Sequence, residues 1–259
     1  MPDQTMSSTF DSAASTFEHQ RSLPREVPEA IRAAIWSITG LSGPARVLDI
    51  GAGTGRIGRA FVAAGDSYFG VDTSLAMLQE FSIDAVNCTL TQADGNHLPF
   101  SDRSFDVVLL MQVLSGVDDW TGILDEARRV VRVGGCVVVG RSSNPEWGVD
   151  TQLKKQLKHI LEDIHLAPFP TEQSRRQAMA LLESLAARHT HAVAASWHVL
   201  ATPNAFLLRH RTGARFVALP PNIQKQALEK LGAWAESTFG SLDAEFAETR
   251  SFEIDVYEF

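Results

Sequence analysis

The stretch Val47-Leu48-Asp49-Ile50-Gly51-Ala52-Gly53-Thr54-Gly55 constrains this chain more than any other. An aliphatic run enters three alternating glycines, and a second apolar-periodic stretch continues to Ala64, just before Gly65. The run predicts a buried strand, and the stretch after it predicts a helix from about Gly55 to Ala64. Without a Cβ, the glycine backbone can turn sharply and let a ligand approach within van der Waals contact. In an open α/β sheet this first turn faces the crevice in which ligands bind.

The pattern on either side supports such a sheet. Val27, Ala30, Ile31, Ala34, Ile35 and Ile38 repeat at helical spacing, with Pro28 near the start and Gly40 after the end. Strands are predicted at Tyr68–Val71, Val86–Thr91 and Phe105–Met111, the last apolar on both faces and therefore central. Helices are predicted at Ser74–Phe81, with Ser74 or Thr73 as N-cap, and at Asp119–Arg132. Gly134-Gly135 should then turn the chain into a fifth strand, Cys136–Val139. Alternation of this kind implies right-handed crossovers and a parallel sheet covered on both faces.

Beyond Gly140 the rhythm changes. Leu153, Leu157, Ile160, Leu161 and Ile164 form one helical stripe, and Ala178, Leu181, Leu182 and Leu185 another, with Pro168 and Pro170 between them. His191–Leu200 suits a sixth strand, Pro203–His210 a short helix, Asn222–Phe239 a longer one and Ser251–Phe259 a closing strand. The expected organisation is a flexible N-terminal segment or lid over 1–26 and a Rossmann-like core over 27–149. A helical cap insertion over 150–190 and the C-terminal part of the sheet with its helices over 191–259 complete it.

Composition narrows the ligand class. The 259 residues carry 23 basic and 31 acidic side chains, a net charge of −8, so no global positive field attracts nucleic acid or anionic lipid. Cys88 and Cys136 are too few for a disulfide framework, and neither has a metal-ligand spacing. No apolar stretch has the ~18 residues of a membrane span, and the polar start lacks a signal core. A cytoplasmic protein without a metal is the expectation.

Two ligand readings compete at the loop. Gly53-x-Gly55-x-x-Gly58 formally satisfies a dinucleotide pattern. Asp49, two residues before the first glycine, would oppose a pyrophosphate and suit a ligand bearing an ammonium group and a sulfonium cation.

Five segments in order resemble the class I S-adenosylmethionine-dependent methyltransferases, over roughly Val47–Gly140. They are VLDIGAGTG, GVDTS, QADGNHLPF, SFDVVLLMQVL and RVVRVGGCVVV. The resemblance implies a doubly wound, seven-stranded, mostly parallel sheet of Rossmann-like methyltransferase type, with an antiparallel last strand and a helical cap. It implies S-adenosyl-L-methionine as cofactor, S-adenosyl-L-homocysteine as product, and cofactor contacts from Asp49, Gly51, Ala52, Gly53, Gly55, Thr73, Gly95, Met111 and Gln112. In the family's pattern Asp72 binds both ribose hydroxyls and Asp94 meets the adenine amine, with Leu98 and Met77 as apolar walls. Each acid also has a plain structural reading, Asp72 as a helix cap and Asp94 as a turn residue before Gly95.

The start of the chain, FDSAASTFEHQRSLP, resembles a segment that small-molecule members fold over the cofactor. There Arg21 would pair with the methionine carboxylate, and Phe10 or Phe17 would cover the site. On the acceptor side, Gln112 and His198 are the candidates for a catalytic role, with Ser115, Asp118, Asp119, Trp120, Arg141, Ser142, Ser143, Asn144, Trp147 and Trp197 nearby in sequence order. Asp118 and Asp119 read as caps of the next helix. His189-x-His191 lacks a third ligand and reads as surface, and Arg209, His210, Arg211 and Arg215 read as a solvated helix end.

The expected function is methyl transfer to a small organic acceptor through an O, N or C nucleophile, by in-line displacement. Methylation of RNA or protein, a non-catalytic S-adenosylmethionine-binding protein and a dinucleotide oxidoreductase are the alternatives.

Overall fold

The computed structural model describes residues 23–83, 85–114, 117, 119–164, 171–211, 214–217 and 219–259, and the side chains of all of these except 171–174, 214 and 215. Phe10, Phe17, Arg21, Ser115 and Asp118, with the Arg215 side chain, lie outside the described residues.

The elements follow the predicted alternation. Helix α1 (Glu26–Thr39) buries Val27, Ile31, Ile35 and Trp36, and ends where Gly40 takes a φ of 69° and donates to the Trp36 carbonyl. Then come β1 (Arg46–Ile50), α2 (Gly58–Ala63), β2 (Ser67–Asp72), α3 (Leu75–Ser82), β3 (Cys88–Gln92), β4 (Phe105–Met111), α4 (Trp120–Val130) and β5 (Val131–Ser143). The rest of the chain forms α5 (Val149–Asp163), α6 (Thr171–Leu185), β6 (Arg188–Ala201), α7 (Pro203–Arg211), α8 (Ala214–Val217), α9 (Pro221–Phe239) and β7 (Phe246–Glu258).

The seven strands form one sheet in the order β3-β2-β1-β4-β5-β7-β6. The first five are parallel: β1 pairs with β2 and β4, β2 with β3, and β4 with β5. Gly134 donates to the Phe259 carbonyl and Phe259 to that of Gly135, so the chain end lies antiparallel to β5. This is the expected mostly parallel, doubly wound sheet with an antiparallel last strand.

Two local expectations change. Gly134-Gly135 is not a turn ahead of β5. The strand begins at Val131, and its register against β4 jumps from Phe105↔Val131 to Val107↔Cys136, so the glycines form an irregularity inside it. Helix α2 starts at Gly58 and not at Gly55, because the glycine turn uses up the residues between.

The chain divides into two compact units. The first takes residues 1–141, 171–195 and 252–259, and the second takes 142–170 and 196–251. Helices α5 and α6, the two stripes of the segment 150–190, therefore fall in different units. The first unit's core joins Leu48, Val108, Leu110 and Val137 of the sheet to Leu124 and Ala127 of α4 and Leu182 of α6. In the second unit, Leu153, Leu157 and Ile160 of α5 pack with Phe206 of α7 and Leu231 of α9.

Buried charges brace each unit from within. Asp66, at the start of β2, accepts from Arg32 Nε (2.6 Å) and Nη2 (3.0 Å) and from the Ala45 amide (2.9 Å), tying α1 to the strands. In the second unit Arg209 Nη2 lies 2.7 Å from both oxygens of buried Asp150. Burying such charges is tolerable only because they are paired and hydrogen-bonded.

Candidate functional site

The glycine loop closes the carboxyl end of β1. Gly51 and Ala52 donate to the Val71 carbonyl at 2.8 and 3.0 Å, pinning the loop to the neighbouring strand β2. At Gly51 φ is 79° and a Cβ would collide with Val113, so both backbone and space demand glycine. Gly53 has a φ of 55° and nothing within 4 Å of where its Cβ would stand, leaving the loop's inner surface open.

That surface bounds a cavity of about 280 Å³. Asp49, Gly51, Ala52, Gly53, Asp72, Thr73, Met77, Asp94, Gly95, Met111 and Gln112 line it, which brings together the cofactor residues expected from the sequence except Gly55, Leu98 and Arg21. Gly55 does not line it, since a Cβ there would run into the Phe81 ring of α3; this glycine serves helix packing. Arg21 is outside the described residues. Leu98, expected as a wall, is instead a buried residue of the core cluster that also holds Ile123 and Leu124. Thr54, Arg56, Ile57, Val71, Ala93, Asn96, Val113, Val117 and Ile123 line the cavity without having been singled out.

Each acid is set by its element. Asp72 ends β2 and accepts from the Gly53 amide (2.9 Å) and the Ser74 amide (2.9 Å). It thereby positions the glycine loop, while Ser74 caps α3 through Met77 N at 3.3 Å. Both bonds come from backbone amides, and the residue lines the cavity from the end of β2. Asp94 accepts from Asn96 N and Nδ2, both at 2.9 Å, in a short turn after β3.

Asp49 is buried at the base of the loop. Burial pushes its carboxyl up to about 7, Asp72 adds to the rise, and the 2.7 Å hydrogen bond from the Tyr68 hydroxyl pulls against it. The same burial and the neighbouring carboxylate raise Tyr68 well above the usual phenol range, so it remains a donor.

Three buried oxygens on lining residues have no hydrogen-bond partner: Asp49 Oδ1, Thr54 Oγ1 and Asn96 Oδ1. Buried acceptors left this way call for a donor-rich ligand. S-Adenosylmethionine offers an ammonium group, ribose hydroxyls and an adenine amine, and Met77, Val71, Ala93 and Ile123 supply apolar wall for a ring. The residues present fit that cofactor. They do not fit a pyrophosphate, because Asp49 and Asp72 would face it and the six-residue helix α2 begins three positions past the loop.

Gln112 ends the central strand at the cavity. Its φ is 62°, a left-handed backbone rare for a side-chain-bearing residue, held by its amide's 2.8 Å bond to the Gly140 carbonyl. Its Oε1 accepts from Arg56 Nη2 at 2.5 Å.

Other acceptor-side candidates do not gather here. His198 lies in the second unit, 3.1 Å from Thr249 Oγ1, in a surface pocket with Trp147 and Leu200. Asp119 caps α4 by accepting from Gly122 N, and Arg141 pairs with Glu253 at 2.6 Å. His189 and His191 both reach Asp255 Oδ1, at 3.0 and 3.1 Å. Among the described residues, no group of three or more His, Cys, Asp or Glu side chains is placed to hold a metal, and no helix is long and apolar enough to cross a membrane.

Residues 48–139 match the family model of the methyltransferase domain. Demethylmenaquinone methyltransferase of Tropheryma whipplei (strain Twist) is 34% identical over 135 residues, 50% of this chain and 55% of that protein. The chain thus spans about half the length of the curated relatives it matches. A structure described as a methyltransferase from an antibiotic biosynthesis pathway of Anabaena variabilis superposes with a TM-score of 0.60 at 18% identity, covering 88% of this chain and 96% of that one. The YcgJ protein of Bacillus subtilis gives 0.56 at 19%, covering 89% and 98%. Residues 48–139 therefore match the methyltransferase-domain family model, and the sheet has the fold of these methyltransferase structures.

Proposed function

We propose that this protein transfers a methyl group from S-adenosylmethionine to a small, ring-bearing organic acceptor. The observation that carries the reading is the cavity at the end of β1, which the glycine loop, the three carboxylates Asp49, Asp72 and Asp94, and apolar walls line together. When bound, the cofactor supplies an electrophilic methyl on a sulfonium with a good leaving group. In this reading Asp72 accepts from the ribose hydroxyls, Asp94 from the adenine amine and Asp49 from the ammonium group. Met77 and Ile123 flank the ring.

The chain's main contribution to rate is then alignment and exclusion of water, worth about 7–11 kcal/mol in favourable cases. Gln112, on its strained turn at the end of β4, is the polar side chain positioned to orient the acceptor. No histidine lines the cavity among the described residues, so the reading uses no imidazole base. The ring-bearing acceptor class rests on relatives named for a quinone substrate. A nucleic-acid acceptor is disfavoured by the net charge of −8 and because two members of the basic cluster are engaged inside the second unit: Arg209 pairs with Asp150, and His210 stacks on Phe206 at 4.1 Å.

Isothermal titration tests the assignment. Asp72→Ala should weaken S-adenosylhomocysteine binding by about 1–3 kcal/mol, the scale of hydrogen bonds to a charged group. Unchanged affinity would remove Asp72 from the site.

A further inference from the structure

With a pyrophosphate set aside, packing explains the last two glycines of Gly53-x-Gly55-x-x-Gly58. A Cβ at Gly58, the first residue of α2, would overlap the Tyr68 hydroxyl, and one at Gly55 would overlap the Phe81 ring. The backbone at Gly58 is not left-handed, so space alone requires glycine there. Tyr68 and Phe81 meet edge-on, with ring centroids 5.6 Å apart. The two glycines thus make room for the Tyr68 phenol and for the ring that braces it.

The phenol reaches Asp49. Both side chains are buried, and the hydroxyl donates to Asp49 Oδ2 at 2.7 Å. Oδ1 of the same carboxyl has no partner among the described residues. Tying one oxygen of a carboxyl fixes its plane, and with it the oxygen that is left for a ligand's N–H. The other charged residues lining the cavity are Arg56, Asp72 and Asp94. Asp72 and Cys88 act on the pair from the strands β2 and β3. From α2, Arg59 lies against the Phe81 ring and donates to the Glu80 carbonyl.

We propose that Tyr68 is a positioning residue of the donor site, its hydroxyl holding Asp49 by Oδ2 and leaving Oδ1 to meet the donor's ammonium group. The inference rests on reading the cavity as the methyl-donor site. The bond fixes the carboxyl's orientation. It also favours the ionised form that an ammonium group prefers, because a hydrogen bond to a carboxylate stabilises its charge. Burial and Asp72 act in the opposite sense. Without the hydroxyl, Asp49 would keep its proton to higher pH, and the donor would bind only in more alkaline solution.

Tyr68→Phe keeps the ring against Phe81 and removes only the hydroxyl. Titration of the unaltered full chain with S-adenosylhomocysteine should show affinity rising as pH increases through about 7. In Tyr68→Phe that midpoint should lie at least about one pH unit higher, the scale of one hydrogen bond to a charged group. 5′-Methylthioadenosine, which has no ammonium group, should bind both proteins alike at every pH. Added to Asp49→Asn, the same substitution should change neither ligand's affinity, because its effect runs through the carboxylate. Should Tyr68→Phe fail to fold by circular dichroism, Gly58→Ala carries the same test: it keeps the phenol, crowds its hydroxyl and should raise the midpoint. An unmoved midpoint in the folded variant, or an equal loss of both ligands, would overturn the positioning role. So would an undiminished effect of Tyr68→Phe in the Asp49→Asn background, or an S-adenosylhomocysteine affinity that is flat with pH in the unaltered protein. Failure of the unaltered protein to bind either adenosine ligand would instead overturn the donor site itself, and the role of Tyr68 with it.

Discussion

At the scale of single residues, Asp49 makes the clearest demand. Its carboxyl is raised to about 7 because burial disfavours the charge, so the folded protein holds a proton there that the unfolded chain has already lost by pH 5. A raised folded-state value means this stability contribution is complete below the unfolded value near 4 and is lost as pH rises through about 7. Urea unfolding at pH 5 and pH 8 should show Asp49→Asn gaining about 3 kcal/mol relative to the unaltered protein between the two conditions. A constant difference would mean that Asp49 is ionised throughout. The same titration should reach the ligand: a cationic ammonium prefers the carboxylate, so donor affinity should rise as pH increases through about 7 and lose that dependence in Asp49→Asn.

Residue identity explains which site contacts could be read in advance. Asp72 and Asp94 sit in short motifs whose spacing places them at strand ends, and both line the cavity. Thr54, Arg56 and Asn96 line it as well, yet as single polar residues in loops they show no periodicity. The GxGxG spacing likewise does not tell which glycine faces ligand and which faces protein. Gly53 opens on the cavity, whereas Gly55 gives way to the Phe81 ring.

At the scale of elements, the glycine turn and the strand edges dictate tolerance. Gly51→Ala introduces a side chain at a φ of 79° and against Val113, and should cost about 2–4 kcal/mol from backbone strain and overpacking together. Thermal denaturation checks this, and a change below 1 kcal/mol would show that the loop relaxes. Asp66 joins α1 to the strands through Arg32 and the Ala45 amide, with its side chain fully buried. Removing it in Asp66→Ala strands a guanidinium and an amide, and should cost about 3 kcal/mol or more. Strand β4 spans the predicted Phe105–Met111 because an apolar run buried on both faces has no other place in such a sheet. Strand β5 was harder to delimit, since Gly134-Gly135 reads as a turn locally while pairing with β4 and the chain end carries the strand through it.

For the whole molecule, the parallel half of the sheet was legible because each strand–helix step carries its own local signal. The partition into two units was not. The stripes of α5 and α6 look alike in sequence, and only the partners they bury against separate them: Phe206 and Leu231 for α5, Leu124 and Ala127 for α6. Ligand linkage gives a global readout of the account. At a concentration of about 100 times its dissociation constant, S-adenosylhomocysteine should add about 2.7 kcal/mol to stability, visible as a raised melting temperature. A pyridine dinucleotide should leave the melting temperature unchanged, and the reverse ordering would favour the dinucleotide reading.

The most direct test is a crystal structure of the full chain with S-adenosylhomocysteine. The account predicts the ribose hydroxyls on Asp72, the adenine amine within hydrogen-bond reach of Asp94 and the ammonium group on Asp49. Ligand bound elsewhere, or a loop at Gly51–Gly55 that leaves no room for it, would contradict the central claim.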